Sequence, residues 1–188
     1  MADHYGLRAD APPGWQVAVT RRPGAEPLTP PDAGARRAGP EAPATPAFPD
    51  ASGAPHADVT RAVLHACTRA MPADRGDFGS GVVDLLGPDD VFVALVDYGA
   101  EVADHGLFEN QGMPRLAPSQ FGPNRLQRPL PGMSASQHFF SEGGRAFCLF
   151  TVVGSHARRM ASVPRAAALV KTIRITDRAA LARQGGRP

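Results

Sequence analysis

The stretch SASQHFFSEGGRAFCLFTVVGSHARRMASVPRAAALVKTIRI, residues Ser134–Ile175, predicts a two-stranded hairpin, then a helix, then a last short strand. Gly143-Gly144 supplies the two positive φ angles that a two-residue hairpin turn requires. A turn there sets Phe140 opposite Phe147, Phe139 opposite Cys148 and His138 opposite Leu149, with Glu142 and Arg145 closing the turn as an opposite-charge pair. The run Phe147–Val153 is apolar without alternation, the pattern of a strand covered on both faces. Ser155 is a candidate helix cap, and Ser162 followed by Pro164 predicts a helix whose clear part is Ala166–Val170. Ile173 and Ile175 then alternate inward on a closing strand.

Working outward, Val91–Tyr98 (VFVALVDY) predicts a second buried strand, with Asp97 and Tyr98 marking its wetter end. Val59–Met71 fits both a helix and an alternating strand, and the strand is preferred, with Val63, His65 and Cys67 on one face. Residues 5–20 read as strand, turn and strand, with Pro12-Pro13-Gly14 as the turn of an N-terminal hairpin (residues 1–20). Residues 21–57 hold nine prolines and few apolar side chains, so they read as a flexible insertion that cannot bury enough surface to order itself. Residues 58–177 complete the same domain, and 178–188 form a basic tail. Residues 99–132 show little periodicity and predict a long excursion pinned by Leu107, Phe108, Leu116 and Phe121.

The formal net charge is only +2, which gives no global attraction to nucleic acid or an anionic membrane. Its distribution says more. Ala73–Glu109 carries nine acidic residues and one arginine, whereas Arg145 to the end carries nine basic residues and one acid, Asp177. Such segments either neutralise each other or form complementary docking patches, with Arg145, Arg158, Arg159, Arg165 and Arg174 on the basic side. Two cysteines are too few for a disulfide framework, and both sit in apolar surroundings as reduced thiols. With no secretory signal at residue 1 and no run approaching a membrane span, the expectation is a cytoplasmic protein.

Chemical motifs are incomplete. Gly76-x-x-Gly79-x-Gly81 lacks the Gly-Lys-Ser/Thr ending of a phosphate loop. His65 and Cys67 are two ligands where zinc takes three or four. His138 and Cys148 fall on opposite sides of the predicted hairpin, which separates thiol from base. Gly154-Ser155-His156 lies at a strand-to-helix junction without the G-x-S-x-G motif. The residues therefore assign no catalytic group, cofactor or metal.

Pro13-Gly14-Trp15, Gly76-Asp77-Phe78-Gly79-Ser80 and FFSEGGRAFCLFTVVGS (139–155) followed by a helix and TIRI resemble a group of small uncharacterised actinobacterial proteins. Their layout is similar to the PsbP/Mog1-like fold. The resemblance covers most of the chain outside the Pro-rich insertion, and it implies a noncatalytic scaffold that works by binding.

The fold expected is α+β, an α/β sandwich with an antiparallel sheet of about five or six strands and helices packed on it. The function expected is that of an adaptor binding another protein through the 99–132 excursion, the basic C-terminal helix or a sheet edge. A homo-oligomer is compatible with this, and nucleic acid is disfavoured because no aromatic set is interleaved with the basic residues. One alternative is a small-molecule binder or enzyme with a site built from Asp77, Ser80, Asp97, His105, Arg125 and Arg145, which requires these residues to meet in one pocket. Another is a subunit of a larger assembly.

Overall fold

The computed structural model describes residues 5–22, 61–177 and 179–180. Its elements are strands Leu7–Ala9 (β1), Gln16–Arg22 (β2), Arg61–Cys67 (β3), Val91–Gly99 (β4), Ser134–Glu142 (β5) and Arg145–Val153 (β6), helix Arg159–Val170 (α1), and strand Ile173–Ile175 (β7). Five strands form an antiparallel sheet in the order β2-β3-β4-β6-β5. Every residue of β4 and β6 is buried, as unbroken apolar runs require of central strands, and the wetter end expected at Asp97 and Tyr98 is buried with them. The hairpin register is the one expected, with Phe140 opposite Phe147, Phe139 opposite Cys148 and His138 opposite Leu149. Gly143 (φ 59°) and Gly144 (φ 70°) are both left-handed, which matches the right-handed twist of the flanking strands.

Strand alternation sorts the interior into two halves. One face carries Leu64, Val93, Leu95, Phe147 and Leu149, and Val163, Ala166 and Leu169 of α1 pack on it. The other carries Val63, Cys67, Phe92, Val96, Cys148 and Phe150, covered by Val82, Leu86 and Phe108 from irregular segments. A single α-helix stands among the described residues, so loops with short 3-10 turns do on the second face what helices were expected to do. Of the anchors expected in the excursion, Phe108 and Phe121 are buried and Leu116 packs at the edge of the core, but Leu107 is 53% exposed.

Three further expectations are corrected. β1 does not form a hairpin with β2; it pairs antiparallel with β7 in a separate two-stranded ribbon, Leu7 opposite Ile175. Burial explains the choice, because Leu7 and Ile173 join the same helix-side core. The helix begins at Arg159, so Ser162 and Pro164 lie inside it and neither Ser155 nor Ser162 caps it. Val163, Ala166, Leu169 and Val170 make a buried stripe at helical spacing, and Pro164 sits on the exposed side, where losing one backbone hydrogen bond is tolerated. Finally, β2 extends through Arg22, into the start of the predicted insertion; the rest of 21–57 lies outside the described residues, as does most of the tail. Among the described residues no helix is long and apolar enough to cross a membrane.

Candidate functional site

Two ion pairs join the acidic and basic segments among the described residues, Asp97–Arg145 and Asp89–Arg158. Arg145 and Asp97 form a buried ion pair at 2.5 Å, and Asp97 Oδ1 also accepts the Gly99 N–H at 2.8 Å. The Arg145 guanidinium lies over the Phe147 ring, 5.0 Å from its centroid, and donates to the Tyr5 carbonyl at 3.5 Å. Glu142 is the cross-strand neighbour of Arg145, yet the arginine turns to Asp97, which corrects the expected turn pair. A carboxylate as buried as Asp97 has the stronger need for a counter-charge. Arg158 reaches both carboxylate oxygens of Asp89 at 2.6 Å, and Arg165 donates to the Asp89 carbonyl at 2.9 Å. Arg159 bonds the His156 carbonyl, and Arg174 bonds the carbonyls of Lys171 and Ile173. Of the five arginines expected on one docking patch, Arg145 is interior, Arg158 and Arg165 meet at Asp89, Arg159 holds the His156 carbonyl, and Arg174 borders a cleft.

The imidazoles and thiols take other partners rather than each other. His65 and Cys67 share the loop-covered face. Arg75 Nε–H donates to His65 Nδ1 at 3.1 Å, so Nε2 carries the proton and donates to the Asp77 carbonyl at 2.8 Å. The ring stacks on Phe92, fixing the 72–81 loop to the sheet. Burial, against the opposing pull of the Asp77 carbonyl, lowers the His65 pKa from 6.5 to about 4. Burial raises the Cys67 thiol and pushes Cys148 up to about 12, with a Gln137 amide N–H on its sulfur at 3.5 Å. His138 lies on the opposite face, lowered by burial and by the nearby Arg125 charge. The six-residue site also fails to assemble. Asp97 and Arg145 meet in the interior, Asp77 and Ser80 belong to the loop over the other face, and His105 and Arg125 are exposed. Among the described residues no group of three or more His, Cys, Asp or Glu is placed to hold a metal ion.

A neutral buried histidine makes stability depend on pH. Its folded pKa lies below the ordinary value, so the unfolded chain takes up the proton first, and stability falls as pH drops from 6.5 toward about 4. Wild type is expected to lose about 2 kcal/mol more than His65→Gln between about pH 7.5 and pH 5, measured by urea unfolding. Equal losses in the two proteins would show that His65 is not held neutral.

A cleft of about 700 Å³ lies among the described residues, within the usual range for ligand sites. Met113–Leu116 of the excursion forms one wall, and Ala167, Val170 and Lys171 at the end of α1 form another. All three residues of β7 line it, together with Glu142 from the hairpin tip. Its apolar lining comes from Met113, Leu116, Val170 and Ile173, while Arg115, Lys171 and Arg174 give it a positive rim. Arg115 and Lys171 have no side-chain partner among the described residues, and Glu142 Oε2 is a buried acceptor without one. A second hollow of about 240 Å³ lies between Phe78, Leu126 and Phe150, beside the Asp84–Arg128 ion pair. Sequence reading missed Arg115, Glu142 and Lys171 as a set. The available signal was that Lys171 is the only lysine in the chain, and that it ends the basic helix. Comparison with protein-family models, curated proteins and solved structures returns no match.

Proposed function

We propose that this protein is a noncatalytic adaptor that binds an acidic stretch of another protein in the cleft between Met113–Leu116, the end of α1 and β7. The observation that carries this reading is the pair of exposed cations, Arg115 and Lys171, which have no side-chain partner among the described residues and line a ligand-sized cleft. A partner's carboxylates complete them, and the apolar floor takes the aliphatic side chains between those carboxylates. Two of the three surfaces anticipated for an adaptor, the excursion and the basic C-terminal helix, converge here.

The test is selection of displayed random peptides on the full chain, counter-screened against the double variant Arg115→Glu/Lys171→Glu. Both side chains are exposed, so the fold is expected to survive the charge reversal. Enriched peptides are expected to carry Asp or Glu, to lose about tenfold or more in affinity for the variant, and to weaken with salt. Enrichment that is indifferent to the two reversals would overturn the reading.

A further inference from the structure

We infer that the bound segment is extended and adds to β7 as the third strand of the β1–β7 ribbon, with alternate acidic side chains facing Arg115 and Lys171. This rests on the proposed function and specifies how the partner is held. The Thr176 N–H donates to the Gly6 carbonyl at 2.9 Å, which identifies that pair as hydrogen-bonded. Antiparallel ladders alternate, so Arg174 and Arg8 form the next bonded pair, and Ile175–Leu7 and Ile173–Ala9 are non-bonded pairs. The backbone groups of Ile173 and Ile175 therefore point away from β1, to the strand's free edge. Arg174 occupies the Ile173 carbonyl, leaving the Ile173 N–H and the Ile175 N–H and C=O to face an added strand.

The cleft wall includes the whole of β7 and no residue of β1, which places the cleft on that free side. An extended peptide fits what is offered there: a carbonyl and an N–H for Ile175, and a further donor for the buried Glu142 Oε2. A fatty-acid carboxylate satisfies a cation but brings no N–H for the Ile175 carbonyl or for Glu142 Oε2. Side chains on one face of a strand recur at about 7 Å, so two carboxylates two residues apart address separate cations. β7 has three residues, which limits the added strand to roughly three to five residues.

The probe is Val-Glu-Val-Glu-Val-amide carrying fluorescein on its N-terminus through a Gly-Gly spacer, with two analogues N-methylated on alternate amides, titrated against the full chain by fluorescence anisotropy. One analogue is expected to bind within about threefold of the parent and the other to lose about tenfold or more, because only one set of N–H groups faces β7. The amide resonances of Ile173 and Ile175 are expected to shift on binding, and the Lys-for-Glu peptide is expected not to bind. Equal behaviour of the two analogues, or no binding of the parent at about 1 mM, overturns strand addition. The adaptor reading falls separately, if the display selection yields nothing that depends on Arg115 and Lys171.

Discussion

Arg145→Met is expected to destabilise the protein by about 3–5 kcal/mol, because it leaves the Asp97 carboxylate buried without its counter-charge. That is a large share of the roughly 5–15 kcal/mol that holds an ordinary domain together. Adding Asp97→Asn to the same chain is expected to recover about half of the loss, since the amide oxygen can still accept the Gly99 N–H and no charge remains to be solvated. Urea unfolding of the two single variants and the double variant closes the thermodynamic cycle. A cost below about 1 kcal/mol for Arg145→Met would mean that the pair is wet rather than interior.

Gly154→Ala is expected to cost about 3 kcal/mol, at the upper end for an overpacked site. The reason is steric and not conformational, since Gly154 has no left-handed φ. An added Cβ would land on the carbonyl oxygen of Gly87, with the carbonyl carbon at 2.9 Å. Backbone cannot swing aside as a flexible side chain can. The Gly87–Asp90 turn is held by the bonds Asp90 N–H to Gly87 O (3.0 Å), Gly87 N–H to Asp90 Oδ2 (2.8 Å) and Gly154 N–H to Asp90 O (3.0 Å). Moving it would also disturb the Thr68 hydroxyl that bridges β3 to the start of β4. Gly122→Ala is the control: nothing lies within 4 Å of its added carbon, and its thermal midpoint is expected to stay within about 2 °C of wild type. A Gly154→Ala protein as stable as that control would show that the turn yields freely.

What could be read from residues alone was what nearest neighbours decide. Gly143-Gly144 and the flanking aromatic alternation are sufficient for the β5–β6 register, because turn chemistry and side-chain period agree. The separation of Cys148 from His138 follows from that register alone. The strand at 61–67 was legible only as the better of two patterns, since its apolar spacing suits either period. The partner of β1 was not legible, because that pairing joins distant parts of the chain and is chosen by the common burial of Leu7 and Ile173. Pro164 misled for a related reason: its local preference for a first turn was overridden by the stripe from Val163 to Val170 packing on the sheet. The cleft was illegible for the same cause, as Arg115, Glu142 and Lys171 share no motif and meet only through tertiary structure.

The β1–β7 ribbon sets an order of events. Leu7 and Ile175 stand 168 positions apart, and closing so long a loop gives little enthalpy back until the sheet beneath already exists. The ribbon is thus the last piece to zip and the first to peel, while the β4–β6 ladder persists. Deuterium uptake at the Arg8 and Arg174 amides should outpace that at Val93 and Leu149. Because β7 is also a wall of the cleft, peeling of the ribbon would dismantle that wall without unfolding the five-stranded sheet beside it, and an occupant bound along β7 would clasp β1 and β7 together.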